Sequence, residues 1–295
     1  LTIIDASSIV AAPTAATVMA DYGARVIKIE HPEKGDSLRN MGLEKDGVPL
    51  WWKFLSRNKQ AITLNLSKTE GQEIFKKIVA KADVLIENFR PGTMEKWGLG
   101  YEELSAINKK LVMLRVTGFG QDGPYSKRPG FGTIAEAMSG FAHITGFPDK
   151  PPTLPPFALG DSIAGLFGAV AVMFAIWWRD VGGGQGEGQE IDLSLYEPLF
   201  YILSPQALEF DQLNVVQNRS GNRPPNSRAP RNTFVTADDR WVAISANSSN
   251  IIRRIIKLLD LEEDDRFSSV EEALNHGDEL DELLGKWIKK HTYQE

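Results

Sequence analysis

The first two hundred residues alternate short apolar strands with helical segments. Strand patterns cover residues 1–5, 25–30, 61–66, 84–87, 111–117 and 190–193. Helical patterns lie between them, at 13–22, 67–82, 101–108, from 135 onward and at 163–179. Apolar strands that alternate with helices are typical of a parallel sheet with helices on both faces. The pattern therefore predicts an α/β fold with a Rossmann-like large domain.

The composition changes in the segment Ser220–Asn232, which is rich in Gly, Pro, Asn, Ser and Arg. Such a segment is typical of a domain boundary or a mobile loop. A strand at 241–245 and helices near 250–259 and 280–290 follow it. We therefore expect a large domain at 1–200, a linker at 201–225 and a smaller, incomplete α/β domain at 226–295.

Composition narrows the function classes. The 295 residues are 42% apolar, which is enough for a large core, and carry a net charge of −6. An acidic surface does not attract nucleic acid or anionic membranes, so we expect neither as a partner. The uncharged run Ser162–Trp178 fits an internal helix better than a membrane span because two glycines dilute it. The sequence contains no cysteine, which excludes disulfides, thiolate metal sites and a cysteine nucleophile.

The ends of the chain also carry information. No signal-peptide pattern opens it, and a cytoplasmic location fits the composition. Leu1 already lies inside a strand pattern, and Glu295 follows an amphipathic stretch without a terminating signal. We expect the chain to be cut at both ends.

Several familiar motifs fail on their context. The segment Gly118–Gly123 spells G-x-G-x-x-G after a strand, but Pro124 and Pro129 interrupt the helix that should follow. Nicotinamide binding there is disfavoured. The four histidines show no ligand spacing, so no metal site is expected. The glycine-rich run Gly182–Gly188 precedes a strand, which favours a plain turn over a phosphate loop.

Asp161 stands out among the polar residues. It follows a proline-rich stretch and precedes the apolar helix, so it lies near that helix's N-terminus. Helix amides and the helix dipole favour an ionised carboxylate at such a position. The local pattern alone is typical of a helix cap, and a functional carboxylate is the alternative.

A set of six motifs places Asp161 in a wider context. In chain order they are Ala20–Glu30, Gly35–Arg39, Arg57–Lys59, Ala82–Gly92, Gly118–Pro124 and Leu159–Ser162. Together they resemble the family III coenzyme A transferases. That family includes formyl-CoA transferase and carnitine CoA transferase and shares its fold with α-methylacyl-CoA racemase.

The resemblance implies an enzyme that moves coenzyme A from an acyl-CoA donor to a carboxylic acid, with Asp161 as nucleophile. It implies an aspartyl mixed anhydride followed by an aspartyl-CoA thioester. It also implies an interlocked homodimer, with acyl-CoA as substrate and no tightly bound cofactor. The C-terminal part of the family, which completes both domains and the dimer, is absent from this chain.

The resemblance further implies a set of coenzyme A contacts. They are Asn88, Phe89, Arg90 and Arg39 for the adenosine and phosphates, Lys59 and Lys96 as further basic positions, and Ile9 as an apolar contact. Guanidinium and ammonium groups suit phosphates, and a flat guanidinium can also stack on adenine. The alternatives are solvated surface charge for the basic residues and a core position for Phe89.

Departures from the family pattern leave other readings open. Val10 and Gly132 replace polar residues of some members near the acyl group, which suggests a different acyl specificity. A racemase would need a proton-transferring pair where this chain has Phe131 and Gly132. A non-catalytic acyl-CoA-binding protein is the third reading. The segment 220–232 stands where the family has a glycine-rich lid, but it contains Gly221 without a glycine run.

Overall fold

The computed structural model describes residues 1–225 and 227–295, which form two compact units. The first unit comprises Leu1–Ala142 and Leu154–Pro205, and the second comprises His143–Thr153 and Gln206–Glu295. This division differs from the predicted one in two places. The segment 143–153 groups with the second unit, and the expected linker contains a helix, Gln206–Leu213.

The first unit is built on a sheet of six parallel strands in the order β5-β2-β1-β6-β7-β8. The strands are β1 (Thr2–Asp5), β2 (Arg25–Glu30), β5 (Lys59–Thr63), β6 (Val84–Glu87), β7 (Val112–Thr117) and β8 (Glu190–Ser194). A short hairpin of β3 (Glu44–Lys45) and β4 (Val48–Pro49) lies between β2 and β5 along the chain. The predicted α/β class with a parallel sheet is confirmed.

Helices cover both faces of this sheet. The helices of this unit are α1 (Ala11–Asp21), α2 (Leu50–Leu55), α3 (Thr69–Val79), α4 (Thr93–Lys96), α5 (Tyr101–Ile107), α6 (Gly132–Met138), α8 (Leu159–Asp180) and α9 (Tyr196–Ile202). The division between the two units falls within α7 (Phe141–Ile144). The continuous apolar runs of β6 and β7 are buried on both faces, as expected for central parallel strands. Successive residues of a strand therefore pack into two separate cores, one on each face of the sheet.

Each face of the sheet has its own apolar core. Ile3, Ile86 and Leu114 point to one face, where they pack with α1 and α8. Their neighbours Ile4, Leu85 and Met113 point to the other face, where Phe75 of α3 and Leu104 of α5 cover them. This alternation follows from the two-residue period of a strand.

Helix α8 is the one helix of residues 1–225 and 227–295 that is long and apolar enough to cross a bilayer. It packs along α1 and against β7 in the first unit. At the crossing, a Cβ on Gly165 would lie 2.5 Å from the Thr14 Cβ, so only glycine permits this close approach. One side of α8 therefore packs inside the first unit, as predicted for an internal helix, whereas Leu166, Val170 and Phe174 on its other side are exposed.

The second unit has its own core. It contains α10 (Gln206–Leu213), an antiparallel pair of β9 (Arg231–Val235) and β10 (Trp241–Ser245), and then α11 (Ser249–Leu258), α12 (Val270–Asn275) and α13 (Gly277–Ile288). Phe234 of β9 packs with Ile252, Phe267 and Leu284. The sequence predicted β10 but not its partner β9. Asn226, within the predicted lid segment, lies outside the described residues, and the lid role stays a prediction.

Candidate active site

A cavity of about 220 Å³ lies at the carboxyl ends of β1, β6 and β7. Strand order reverses between β1 and β6, because the chain runs outward from β1 through β2 to β5 and then outward from β6 through β7 to β8. Open parallel sheets bind ligands at this kind of reversal. The walls are Ser8–Ala11, Asn88–Pro91, Val116–Gly118, Ser126, Arg128–Phe131, Asp161 and Leu195.

Asp161 lines this cavity from the first turn of α8. The helix begins at Leu159, earlier than the predicted residue 163, so Asp161 lies inside the helix and Ala158 is the N-cap. Burial, together with the negative charge of Glu136, raises the pKa of Asp161 to about 6, although a hydrogen bond from the residue's own backbone amide opposes both. Within the described residues no cation pairs with this carboxylate, which suits a reactive group better than a structural one.

Gly132 makes room for the Asp161 carboxyl. It is the first residue of α6, and a Cβ at this position would lie 2.3 Å from Asp161 Oδ2. Any side chain here would displace the carboxylate. The sequence analysis connected Gly132 with acyl specificity and with the position of a racemase's proton-transferring pair, whereas the structure shows that it touches Asp161.

Two guanidinium groups line the same cavity. Arg90 was predicted from the sequence, and Arg128 was missed. Arg128 stacks on Tyr125, with its Cζ 4.0 Å from the ring centroid. Neither arginine forms an ion pair with any residue of the described ranges, and both are exposed. They are therefore available to carboxylate or phosphate groups of a ligand.

Asn88 holds the backbone of the loop after β1. Its Oδ1 accepts a hydrogen bond from the Ser8 amide at 2.9 Å, and its Nδ2 donates one to the Ser8 carbonyl at 2.8 Å. Both ends of the side chain are therefore engaged with the protein. Asn88 lines the cavity, and its visible role is to join the two loops that meet at the strand reversal. Its contact with coenzyme A stays a prediction.

Ile9, also a wall of the cavity, has an unusual backbone. Its φ is 69°, a left-handed conformation that is a genuine outlier for a β-branched residue. The Ile9 amide donates to Asp36 Oδ1 at 3.1 Å. Strained backbone of this kind persists where the surroundings impose it, and it clusters at functional sites.

Four buried charges lie beneath this loop. Lys28 Nζ pairs with Asp36 at 2.9 Å and lies 3.7 Å from Asp5, and it also donates to the Ser7 carbonyl. Lys59 Nζ donates to Asp5 Oδ2 at 2.8 Å. The cluster has two positive and two negative groups, so its charges balance within the protein interior.

Lys59 therefore differs from the expected coenzyme A contact. Its side chain is only 2% exposed, and its ammonium also donates to the Pro13 carbonyl at 2.9 Å. Burial lowers the pKa of Lys59, and the charge and hydrogen bond of Asp5 oppose that effect. The structure places this residue under the loop, outside the walls of the cavity.

The remaining predicted contacts are spread over the first unit. Phe89 lines the cavity and packs edge-on against Trp97, with ring centroids 5.1 Å apart. Lys96 is exposed at the end of α4 and does not belong to the cavity walls.

Arg39 lines a different feature, an open groove of about 790 Å³ beside His31 and Lys34. It stacks on Trp52, with its Cζ 3.8 Å from the ring centroid, and makes two hydrogen bonds to Glu30, at 2.7 and 2.8 Å. The Arg39 charge is therefore already compensated by a carboxylate. Its assignment to a coenzyme A phosphate stays a prediction.

Comparison with known proteins shows which family this chain matches. A sequence model described as CoA-transferase family III matches residues 1–295. Succinyl-CoA–D-citramalate CoA-transferase of Chloroflexus aurantiacus is 41% identical over 294 residues, covering 98% of this chain and 72% of that protein. The beta subunit of succinyl-CoA–L-malate CoA-transferase from the same organism is 40% identical over 298 residues, covering 99% of this chain and 73% of that protein.

Solved structures agree. The crystal structure of a CAIB/BAIF family protein from Brucella suis matches with a TM-score of 0.85 and 32% sequence identity. The match covers 100% of this chain and 78% of that one.

Proposed function

The chain belongs to the family III coenzyme A transferases, and from that premise we propose that Asp161 is the nucleophile of the transfer. Enzymes of this family move coenzyme A from an acyl-CoA donor to a carboxylic acid. The observation that carries the proposal is the placement of Asp161 in a cavity at the strand reversal, which Arg90 and Arg128 also line. Among the described residues, none of these three groups forms an ion pair.

The proposed reaction begins with attack of an Asp161 carboxylate oxygen on the donor thioester carbon. A carbon–oxygen bond forms, the carbon–sulfur bond breaks, and coenzyme A leaves as the thiolate. The thiolate then attacks the aspartyl carbonyl and expels the donor acid as its carboxylate, which leaves an aspartyl-CoA thioester. The acceptor carboxylate enters by the reverse of these two steps and leaves as its thioester.

We propose succinyl-CoA as donor and a hydroxylated dicarboxylic acid, such as malate or citramalate, as acceptor. Support comes from two directions. The two relatives described above are named for these substrates. Arg90 and Arg128 line the cavity without an ion-pair partner among the described residues, and a guanidinium binds a second carboxylate in a planar, two-bonded geometry.

The substrate proposal is tested with full-length protein, succinyl-CoA and a panel of acceptor acids. We expect malate or citramalate to give new thioesters by mass spectrometry, and butyrate to react at least about tenfold more slowly. Arg128→Ala should remove most of this preference, whereas Lys127→Ala, which alters a neighbouring residue outside the cavity walls, should keep it. Equal rates with butyrate would overturn the dicarboxylate assignment.

The racemase reading finds no support in the site. Proton transfer at an α-carbon needs a second group that can accept or donate a proton near the reacting carbon. Phe131 and Gly132 occupy the corresponding positions, and Gly132 lies directly against Asp161. Neither side chain can move a proton.

We also propose that the protein works as a homodimer. Helix α8 exposes a continuous apolar stripe that includes Leu166, Val170, Phe174 and Trp177. Apolar patches of this kind mark interaction surfaces on soluble proteins. Light scattering on the full-length protein tests the proposal: a mass of two chains supports it, and a monomer at micromolar concentration contradicts it.

A further inference from the structure

A second acidic residue lies close to Asp161. Glu136, on α6, is 3% exposed, and no Lys, Arg or His within the described ranges pairs with it. Its Oε1 accepts a hydrogen bond from the Gly160 amide at 3.0 Å. A buried carboxylate without a cation is costly to the fold, so its presence calls for a role.

The geometry directs Glu136 toward the nucleophile. Gly132 and Glu136 are four residues apart on α6, which places them on the same face of that helix. Gly132 is the residue on which the Asp161 carboxyl lies. The Gly160 amide that Glu136 binds belongs to the residue immediately before Asp161. One face of α6 therefore contacts both the side chain of Asp161 and the backbone that carries it.

Among the described residues, Glu136 is the charged neighbour that acts on Asp161. The charged groups of these elements are engaged with partners of their own: Asp21 with Arg57, Arg115 with Glu87 and Glu190, Asp192 with the Gln121 amide, and Glu197 with the Ser194 amide. Arg90 and Arg128 face the cavity from its other walls. Glu136 is thus the acidic neighbour that sets the local field at Asp161.

We infer that Glu136 is a positioning residue for Asp161, which fixes the first turn of α8 and drives acylation of the nucleophile by like-charge repulsion. The inference rests on the proposed role of Asp161. Acylation turns the anionic carboxylate into a neutral anhydride or thioester, while the negative charge leaves on the departing thiolate or carboxylate. The repulsion between Glu136 and Asp161 is released in that step, so Glu136 favours the covalent adduct over the free carboxylate.

The same repulsion also affects proton binding by Asp161. Burial raises the pKa of Asp161, and the charge of Glu136 adds to that shift. A neutral residue at position 136 that keeps the hydrogen bond to Gly160 should remove only the second contribution. Anchoring and charge can therefore be separated by two different substitutions.

The experiment compares three variants of the full-length protein. Glu136→Gln keeps an oxygen that can accept from the Gly160 amide but loses the charge, and Glu136→Ala loses both. Glu197→Gln is the matched control, since this residue also accepts from a backbone amide, on a helix packed against α6 and α8. The readouts are the pH dependence of kcat/KM and the fraction of enzyme carrying an acyl or coenzyme A adduct after acid quench with succinyl-CoA.

We expect Glu136→Gln to move the acid limb of the profile to lower pH and to reduce the quenched adduct by about threefold to tenfold, the change that corresponds to half to one pKa unit. Glu197→Gln should leave both unchanged, and Glu136→Ala should also lower the melting temperature. A profile and adduct level in Glu136→Gln equal to those of the wild type would overturn the inference.

Failure of the underlying mechanism gives a different result. If Asp161→Asn keeps transfer activity, the proposed nucleophile is wrong. If Asp161→Asn is inactive while Glu136→Gln behaves as the wild type, only the role of Glu136 fails.

Discussion

Two carboxylates of the first unit have opposite surroundings: Asp5, which is fully buried, and Asp161, which is half-buried. Burial would raise the pKa of Asp5, but the charges of Lys28 and Lys59, with hydrogen bonds from Lys59 and Ser7, lower it to about 2. Burial raises the pKa of Asp161 to about 6, and the nearby charge is negative. The surroundings of Asp5 therefore stabilise its ionised form, whereas those of Asp161 favour its neutral form.

The difference separates a structural carboxylate from the proposed nucleophile. Asp5 stabilises the fold above its unfolded pKa of about 4, and that contribution is lost as the pH falls toward 2. Asp161 has the opposite effect, because its ionised form destabilises the fold. This destabilisation is complete above a pH of about 6 and disappears as the pH falls below about 4. The signs of their charged neighbours therefore distinguish the two residues.

The largest expected effect is on activity when Asp161 is neutralised. Asp161→Asn should lower the rate of transfer by at least about 10³-fold, because the amide cannot attack a thioester. The same variant should be more stable than the wild type at pH 8 by about 1 kcal/mol, and this gain should vanish near pH 4. Steady-state kinetics and thermal unfolding at both pH values measure the two effects. A less stable variant at pH 8 would contradict the contrast with Asp5.

Neutralising Asp5 should destabilise the fold, in contrast to neutralising Asp161. Asp5→Asn leaves Lys28 and Lys59 buried with one carboxylate fewer, which should lower the free energy of unfolding by about 3–5 kcal/mol. Urea titration measures this loss. Asp21→Asn removes the partner of Arg57 in a more exposed ion pair and should cost less than about 1 kcal/mol. Equal losses of unfolding free energy in both variants would show that the buried cluster contributes no more to stability than an exposed ion pair.

The raised pKa of Asp161 predicts a pH dependence of catalysis. Only the ionised carboxylate attacks, so kcat/KM should be constant above pH 7 and fall below pH 6, to about one tenth of the plateau at pH 5. Initial rates in buffers of constant ionic strength give the profile. An acid limb at the ordinary carboxyl value of about 4 would remove the contrast between Asp161 and an exposed aspartate.

The smallest expected effect concerns the loop that the Asp5 cluster supports. Ile9→Gly relieves the left-handed backbone but frees the loop, so kcat/KM should fall by about threefold to tenfold while stability changes by less than about 1 kcal/mol. Asp46→Gly is the control: Asp46 also has a positive φ, 54°, but lies in the β3–β4 turn. If both variants keep full activity, the strain at Ile9 has no functional role.

The sequence predicted much of the fold because apolar periodicity is a local signal. The strands at β1, β2, β6 and β7 follow from runs of Val, Ile and Leu, and the α/β class follows from their alternation with helices. The start of α8 was predicted four residues late. The sequence pattern favoured Asp161 as the helix cap, whereas the observed N-cap is Ala158, which makes no side-chain hydrogen bond.

The site was only partly predictable, because the type of a residue does not show which groups its side chain contacts in the folded chain. Lys59 and Arg90 are both basic residues in matching motifs, yet the first is ion-paired beneath a loop and the second lines the cavity. Glu136 carried no sequence signal at all. Its relation to Asp161 depends on the contact between α6 and α8, which only the folded chain reveals.

The most direct test of the central claim is to identify the residue that becomes acylated. Full-length protein would be incubated with succinyl-CoA and hydroxylamine, digested and mapped by mass spectrometry, with Asp161→Asn as control. The account predicts a hydroxamate on Asp161 that requires the donor, and unmodified peptides containing Asp5 and Glu136. Product thioester that accumulates while the Asp161 peptide stays unmodified would contradict it.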